Sequence, residues 1–302
     1  HNMNVVTQAG VCTRSMYLDY DDEAVFKAKR YLFDRARADD ETPFMLTVSM
    51  IQPHDPYLCR QDKWDVYRDA QIDLPKVPFG AVPEDPHSAR LRFVYGANEH
   101  NFDDATIRRA RRAYYGSVTD IDDKVASLMA TLEEAGLADN TIVIFTADHG
   151  DMLGERGMWF KMSFLEHSAR VPLIVHAPAK FAPRRIAQAV SLVDLAPTLV
   201  DMATRGGKPF DYPTPMEGRS LMSHLTDGTG FDEAVGEYFG EGTSTPVFML
   251  RRGRYKYIQS LNDPMQMYDL VNDPLEVNNL GASPEHADEV AAIEAEIRGR
   301  YD

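Results

Sequence analysis

The segment "TADHGDMLGERGMWFK", residues 146–161, directly follows the apolar run "TIVIF" of residues 141–145. The run is typical of a buried strand, and the segment then brings several charged side chains into one short loop. Asp148 and His149 stand side by side before Gly150. A carboxylate and an imidazole at a strand end are a donor pair suited to a divalent cation. The segment therefore indicates an α/β fold with a metal-binding corner.

Two ligands are too few for a metal site, so the remaining ones must come from elsewhere. The alternative is purely structural: Asp148 caps a turn, and His149 packs under it. For an isolated Asp-His pair this alternative is favoured, and the metal interpretation needs further motifs.

Composition excludes several classes of protein. A chain of 302 residues with 44% hydrophobic and 26% charged residues is an ordinary globular protein. No apolar run approaches the about 18 residues of a membrane span. The net charge of -15 argues against a nucleic-acid partner. Cys12 and Cys59 make no disulfide framework and suit a reducing compartment, so we predict a cytoplasmic protein.

The first part of the chain predicts one helix and one strand. Asp21 or Asp22 is a candidate cap for a helix that runs to Ala38. "PFMLTVSMI", residues 43–51, is apolar nearly throughout and predicts a strand buried on both sides. We expect the Pro-rich stretch 58–102 to have little regular structure.

Residues 104–140 have apolar side chains at helical spacing and predict a long helix that ends at Gly136. The arginines within 108–112 are predicted to form a solvated helix face paired with acids such as Asp103 and Asp104. A nucleic-acid contact is the disfavoured alternative.

The chain then continues with a strand, a strand and a helix: "TIVIFTA" (141–147), "PLIVHAP" (172–178) and "SLVDLAPTLVDMA" (191–203). Strands alternating with helices predict a three-layer α/β domain, which we assign to residues 1–215. In such sheets ligands bind beyond the carboxyl ends of the strands. His176 ends an apolar strand and is predicted to be a core residue.

Residues 216–302 have a different pattern and are predicted to form a small antiparallel α+β subdomain. Short strands flank a turn at Gly253, which is typical of a hairpin. The final helix has Ser283 as its cap and Pro284 in its first turn.

Two further residues have side chains suited to binding an anionic ester. Lys161 follows the metal corner, and its ammonium group can neutralise ester oxygens. His54, in the loop "QPHDPY" of residues 52–57, can donate to an ester oxygen or a leaving group. A solvated lysine and a histidine that holds its own loop are the structural alternatives.

Together these motifs resemble the sulfatases of the alkaline-phosphatase superfamily. The segment 146–161 is similar to their "DHG-x-x-LGE-x-G-x-W-x-K" pattern. "MYDLVNDPLEVNNL" (267–280) is similar to their C-terminal motif, and "EHSARVPLIVHAP" (166–178) and "EYFGEGTSTP" (237–246) most resemble choline sulfatases. The resemblance implies an alkaline-phosphatase-like, mostly parallel sheet with the smaller antiparallel subdomain.

The resemblance also implies roles for individual residues. Asp148 and His149 would ligate Mn²⁺, Mg²⁺ or Ca²⁺, and Lys161 and His54 would contact the sulfate group. The quaternary ammonium of choline-O-sulfate would bind aromatic and carboxylate side chains. The candidates are Glu237, Tyr238 and Glu241, with Tyr57 and Trp159 as weaker ones. Enzymes of this kind are dimers or tetramers, so a homo-oligomer is expected.

One part of the family pattern does not match this sequence. Sulfatases use a formylglycine made from Cys or Ser in a C/S-x-P/A-x-R motif. Cys12 begins "CTRSM" and Cys59 begins "CRQDK", and neither fits. We therefore expect the nucleophile on an N-terminal segment or chain outside residues 1–302. We also expect residues 1–302 alone to be insoluble or inactive.

The predicted activity is hydrolysis of a sulfuric ester, with choline-O-sulfate as substrate and formylglycine as nucleophile. Two alternatives stay open. One is a phosphoester or phosphonate monoester hydrolase of the same superfamily, since the metal corner is shared. The other is a non-catalytic fragment that binds an anion or a partner subunit.

Overall fold

The computed structural model describes residues 2–68, 72–204 and 215–301. Contacts between residues divide the chain into two compact units. The first unit comprises His1–Phe79, Arg92–Val143 and Met152–Phe160. The second unit comprises Gly80–Leu91, Ile144–Asp151 and Lys161–Asp302.

The described residues contain both helices and strands. The α-helices are α1 (Asn4–Thr7), α2 (Met16–Arg37), α3 (Gln61–Val66), α4 (Pro86–Val94), α5 (Asp104–Glu134), α6 (Glu166–Ala169), α7 (Leu195–Thr204), α8 (Met222–Thr226) and α9 (Ala287–Tyr301). The strands are β1 (Gly10–Val11), β2 (Leu58–Cys59), β3 (Val143–Thr146), β4 (Leu173–His176), β5 (Glu233–Tyr238), β6 (Val247–Arg252), β7 (Tyr255–Ser260) and β8 (Asp263–Asp269). β1 pairs with β2 in parallel, β3 pairs with β4, and β5 to β8 form an antiparallel sheet in sequence order.

The long helix α5 is the central element of the first unit. α1, α2, α3 and the β1–β2 pair all contact it. Its residues Ile121 and Leu132 are buried, as the helical spacing predicted. Gly136 follows the end of α5 with a φ of 69°, a left-handed conformation that glycine adopts without steric cost. The predicted long helix and its stop signal are confirmed.

The predicted start of α2 is wrong. The helix begins at Met16, because the Ser15 hydroxyl caps it by accepting the Leu18 N–H at 3.2 Å. Asp21 instead lies inside the helix and is fully buried. Its carboxylate accepts the backbone N–H groups of Ile51 and Gln52 at 2.7 and 3.1 Å. A cap-type residue in the sequence can therefore also be an anchor for a distant loop.

The strand predicted over residues 43–51 is also wrong. The structure assigns no strand there, and the side chains are mostly exposed, with Met45 at 72% and Leu46 at 38%. A strand is stable only beside a neighbouring strand, and among the described residues none pairs with this segment. Apolar composition therefore predicted burial that these residues do not have.

The stretch 58–102 is more regular than predicted, since it contains β2, α3 and α4. α4 begins at Pro86, a residue favoured in the first turn of a helix. The Asp85 carboxylate accepts the Ser88 N–H at 3.0 Å, which stabilises the same helix end. The proline was therefore a helix start as well as a loop signal.

The arginines within 108–112 do not form the predicted solvated face. Arg111 is buried, and it donates to the Asp73 carboxylate at 2.6 Å and to the Leu153 carbonyl at 2.9 Å. The other three donate to backbone carbonyl oxygens, Arg108 to Ile72, Arg109 to Thr7 and Arg112 to Trp64. Because guanidinium groups carry several donors in a planar fork, they hold connecting segments against α5. Asp103 instead caps α5 by accepting the Thr106 N–H.

In the second unit, β3, β4 and α7 confirm the strands predicted over 141–147 and 172–178 and the helix over 191–203. The prediction for His176 is wrong, because its side chain is exposed. Exposure alternates along β4, and Ile174 is 58% exposed on the same face.

The C-terminal sheet confirms the predicted hairpin and final helix. Gly253, with a φ of 53°, joins β6 to β7. The core between the sheet and α9 is formed by Leu250, Tyr257, Met267, Ile293 and Ile297. Pro284 opens a single 3₁₀ turn after Ser283, and α9 follows it. The domain boundary near residue 215 stays a prediction.

The mixture of helices, short strand pairs and a C-terminal antiparallel sheet confirms the predicted α/β class with an α+β part. No helix among the described residues carries an apolar stretch of the length that a bilayer requires.

Candidate active site

Asp148 and His149 follow the end of β3 and form an open corner of the second unit. The Asp148 side chain is 88% exposed and that of His149 is 30% exposed. The backbone N–H of His149 donates to Asp148 Oδ1 at 3.0 Å. Imidazole Nε2 lies 3.7 Å from Asp148 Oδ2. The two side chains therefore present an oxygen and a nitrogen to the same space.

A hydrogen bond fixes the tautomer of His149. Its Nδ1 lies 2.8 Å from the Gly150 carbonyl oxygen. Because a carbonyl only accepts, Nδ1 carries the hydrogen and the lone pair is on Nε2. Histidines that ligate metals are commonly held in this way. Ligand bonds of about 2.0 to 2.2 Å allow two donors 3.7 Å apart to share one ion, so the corner fits a divalent metal.

The described part of the chain supplies no complete metal site. No group of three or more His, Cys, Asp or Glu side chains there is arranged to hold an ion. The roles of Asp148 and His149 as metal ligands stay a prediction from the sequence.

The backbone of the corner is held by α6. The Gly150 N–H donates to the Ser168 carbonyl oxygen at 2.7 Å. A Cβ at position 150 would lie 2.0 Å from the His167 carbonyl oxygen. Only glycine allows this close approach, so Gly150 is a packing requirement of the corner.

Lys161 occupies a constrained stretch of backbone. Its neighbours Phe160 and Met162 have φ values of 67° and 75°, which are unusual for residues with side chains. Such conformations persist only where the surroundings enforce them, and they cluster at functional sites. The backbone on both sides of Lys161 is therefore constrained.

The charge of Lys161 acts on Glu241, whose pKa is lowered. The largest cause is the backbone N–H of Glu241 itself, followed by the Tyr238 hydroxyl, with Lys161 contributing further. Tyr238 donates to Glu241 Oε2 at 2.9 Å, and burial together with Glu241 raises the pKa of Tyr238. Tyr238 and Glu241 are thus a hydrogen-bonded pair of the second unit, and Lys161 acts on it through its charge.

Glu237 is not part of that group. It is exposed and precedes Tyr238 on β5, so the two side chains point to opposite faces of the sheet. Because Tyr238 is the residue that hydrogen-bonds Glu241, Glu237 lies on the far side of the strand from the pair.

His87 was missed by the sequence analysis. It lies on α4, its side chain is 6% exposed, and its ring centroid is 5.9 Å from that of Tyr238. Burial lowers its pKa, and its Nε2 has no hydrogen-bond partner among the described residues. About 150 residues separate His87 from Tyr238 in sequence, so no local motif could have joined them.

His54 belongs to the first unit. Its side chain is 28% exposed, and Nδ1 lies 2.8 Å from the carbonyl oxygen and 3.0 Å from Oδ1 of Asp55. The edge of the ring faces Tyr17, with centroids 6.3 Å apart. Nδ1 donates to Asp55, so Nε2 is the ring nitrogen that the predicted chemistry would use.

The first unit also contains the two cysteines and the weaker aromatic candidates. Burial raises the pKa of the Cys59 thiol to about 12 and raises that of Cys12. A thiol held protonated is a poor nucleophile. Tyr57 and Trp159 are 1% and 2% exposed and pack together, so neither offers an open face to a ligand.

Sequence comparison identifies two family models in this chain. The model described as Sulfatase matches residues 4–205, and that described as N-sulphoglucosamine sulphohydrolase, C-terminal, matches residues 154–301. A choline-sulfatase of Rhizobium meliloti (strain 1021) is 40% identical over 293 residues, which cover 94% of this chain and 56% of that protein. An arylsulfatase of Clostridium perfringens is 30% identical over 264 residues, which cover 84% of this chain and 52% of that protein. The chain spans about half the length of these curated relatives.

Comparison with solved structures agrees with the fold described above. The phosphonate monoester hydrolase of Agrobacterium radiobacter superposes with a TM-score of 0.76 at 23% identity. The match covers 92% of this chain and 60% of that protein. At this identity the likeness establishes the fold, and it confirms the predicted three-layer α/β architecture with a C-terminal antiparallel part.

Proposed function

This chain belongs to the sulfatase family, and on that premise we propose that it forms part of an enzyme that hydrolyses choline-O-sulfate to choline and sulfate. The observation that carries the proposal is the hydrogen-bonded pair Tyr238 and Glu241 in the second unit, on which the charge of Lys161 also acts. A cation for the sulfate end and an aromatic–carboxylate pair for the ammonium end are what this substrate requires. The 40% identity to a choline-sulfatase supports the same choice.

We propose that Asp148 and His149 hold a divalent ion, Mn²⁺, Mg²⁺ or Ca²⁺. Of these three ions Mn²⁺ accepts an imidazole ligand most readily, because Mg²⁺ and Ca²⁺ prefer oxygen ligands. A divalent ion at such a site polarises ester oxygens and neutralises their charge. The hydrogen bond from His149 Nδ1 to Gly150 keeps the ligand nitrogen oriented.

Lys161 and His54 are proposed to act on the sulfate group. The Lys161 ammonium stabilises negative charge that develops on the sulfate oxygens during cleavage. In its protonated, imidazolium form, His54 would keep the Nδ1–H on Asp55 and donate the Nε2 proton to the leaving oxygen, which leaves a neutral imidazole. The backbone beside Lys161 is constrained, and the hydrogen bond to Asp55 orients the ring of His54.

Tyr238 and Glu241 are proposed to bind the quaternary ammonium of choline. The aromatic face attracts a cation, and the carboxylate, ionised because its pKa is lowered, adds charge of opposite sign. Glu237, on the opposite face of β5, would contribute at longer range.

In the proposed reaction a hydrated formylglycine would supply the attacking oxygen. Neither Cys12 nor Cys59 stands in the motif from which formylglycine is made, so we propose that this residue lies outside residues 1–302. A cytoplasmic homo-oligomer, dimer or tetramer, stays a prediction from the sequence.

A phosphonate monoester hydrolase is the second candidate function. It is favoured by the TM-score of 0.76 to such an enzyme, because an Asp-His metal corner suits either ester. The aromatic–carboxylate pair argues for the choline ester instead, since it provides a site for a cation.

The proposed substrate is tested by comparing choline-O-sulfate with 4-nitrophenyl sulfate, which lacks the cation, in the wild type and in Glu241→Gln. The variant keeps the size of the side chain and removes its charge. We expect the KM for choline-O-sulfate to rise about tenfold in the variant, with the aryl ester unchanged. An equal change for both esters would contradict the choline assignment.

A further inference from the structure

A buried ion pair lies in the second unit outside the residues with proposed chemical roles. Lys256 on β7 is 1% exposed and Glu276, after β8, is 2% exposed. The Lys256 Nζ lies 2.5 Å from Glu276 Oε1. Removing two charges from water is costly, so a pair this deeply buried calls for a reason beyond stability.

The pair contacts two residues of one segment, Phe164 and Glu166. Lys256 Nζ donates to the Phe164 carbonyl oxygen at 2.6 Å and to Glu166 Oε1 at 2.9 Å. Glu276 Oε2 accepts the backbone N–H of Glu166 at 2.7 Å. The segment is thus held by its backbone and its side chain at the same point, where α6 begins.

The sheet supports the same segment from a second strand. A Cβ at Gly236 on β5 would lie 2.6 Å from Cε1 of Phe164. The absence of a side chain at this position lets the Phe164 ring lie against the strand. The C-terminal sheet is therefore a platform on which residues 164–166 are docked.

The docked segment leads directly to the candidate active site. Lys161 precedes it by three residues, and α6 begins at its last residue, Glu166. Within α6, the Ser168 carbonyl accepts the Gly150 N–H next to His149. A displacement at residues 164–166 would therefore move both the corner and the lysine.

We propose that Lys256 and Glu276 are positioning residues for the Asp148–His149 corner and Lys161, an inference that rests on the proposed function for its chemical meaning. They touch no substrate and act through Glu166 and α6. Glu276, the glutamate of the motif at 267–280, would thus anchor residues 164–166, which support the proposed metal ligands.

The conformation of Glu276 agrees with such a role. Its φ is 58°, unusual for a residue with a side chain. Asp273 stabilises the turn, because its carboxylate accepts the N–H groups of Val277 and Asn278 at 3.0 and 2.8 Å. The turn aims the Glu276 carboxylate inward at Lys256.

The test is hydrogen exchange at the Gly150 and Glu166 amides of purified protein containing residues 1–302, with Mn²⁺ affinity measured in parallel. In Lys256→Met we expect exchange at both amides to rise about tenfold or more and Mn²⁺ affinity to fall. The control is Arg252→Met, which removes an ion pair to Glu296 in the same unit. It should leave both amides and the metal affinity unchanged.

Unchanged exchange in Lys256→Met would overturn the positioning role. If the wild type binds no Mn²⁺ while Lys256→Met still accelerates exchange, the metal assignment fails and the positioning role stands. If Lys256→Met does not fold, Lys256→Met/Glu276→Gln removes the unpaired buried carboxylate. We expect faster exchange there too, and wild-type exchange in that double variant would equally overturn the proposal.

Discussion

Two loops with proposed catalytic residues are anchored in different ways. The loop that carries His54 depends on one carboxylate, Asp21, which accepts two consecutive backbone N–H groups. The segment after Lys161 depends on an ion pair, with Glu276 accepting one N–H and Lys256 holding a carbonyl and a carboxylate. Each anchor lies far from its loop in sequence.

The difference lies in how the buried charge is compensated. Burial raises the pKa of Asp21, although two amide donors and Lys124 oppose the shift. Glu276 instead has a cation at 2.5 Å. Asp21, which is held mainly by amides, stabilises only the loop whose N–H groups it accepts. The Lys256–Glu276 ion pair also bonds Phe164 and Glu166, so it connects β7 to the segment before α6.

A third buried carboxylate shows that part of the segment 146–161 is scaffold. Glu155 is 2% exposed and accepts the N–H groups of Lys76 and Val77 at 3.0 and 2.9 Å. It clamps a loop of the first unit, as Asp21 does. The segment therefore contains candidate ligands and a structural anchor within a few residues of each other.

We expect the largest loss of activity from substitutions of the two proposed metal ligands, Asp148 and His149. Asp148→Asn and His149→Ala should each lower kcat about a thousandfold, because a preorganised charge contact is lost. Both side chains are at least 30% exposed, so the melting temperature should change little. Arg170→Gln, at an exposed position after α6, is the control and should retain full activity. Loss of folding in the Asp148 variant would contradict an open ligand role.

Substitution of Lys161 tests whether its ammonium group contributes to catalysis. Lys161→Ala should lower kcat about a hundredfold, with Lys161→Arg recovering part of the loss. Steady-state kinetics of the three proteins provides the comparison. A wild-type kcat in Lys161→Ala would show that Lys161 has no role in catalysis.

The single-carboxylate anchor is tested by Asp21→Ala. Two buried N–H groups would lose their acceptor, so the free energy of unfolding should fall by about 2 to 3 kcal/mol. Urea denaturation measures the change, and Asp34→Ala, on the exposed face of the same helix, should change it by less than about 0.5 kcal/mol. Equal effects of the two substitutions would refute the anchor.

We expect the smallest effect from His87, as a dependence of folding stability on pH. Burial lowers its pKa in the folded state, so the unfolded chain binds the proton first. Stability should therefore fall as pH drops below about 6.5, and His87→Gln should flatten this slope. Urea midpoints between about pH 5 and 7 measure it, with the exposed His100 substituted to Gln as control. An unaltered slope in His87→Gln would show that His87 is not the titrating group.

Periodic and local features were predictable from the sequence. The long helix α5, the strands β3 and β4 and the C-terminal hairpin follow from apolar spacing and glycine positions. Asp148, His149 and Lys161 could be proposed as site residues because they stand close together in one segment, and their roles stay a prediction. Long-range anchors were not, since Asp21, Glu276 and Lys256 act on residues that no sequence spacing links to them.

The failures have physical causes as well. The segment 43–51 is apolar, but a strand also needs a partner, which composition cannot supply. The arginines of α5 were predicted to form a solvated face. Their partners are mostly backbone carbonyl oxygens, which every residue has, so the sequence could not indicate them. His87 and Tyr238 meet only through the tertiary fold.

The most direct test of the central claim compares choline-O-sulfate with phosphocholine as substrates of the purified enzyme that contains residues 1–302 together with the segment proposed to carry the formylglycine. The two esters share the alcohol and differ in the transferred group, so the comparison isolates the sulfate assignment. We predict faster release of sulfate than of phosphate, lost on metal chelation and in Asp148→Asn. Faster release of phosphate, or sulfate release that survives Asp148→Asn, would contradict it.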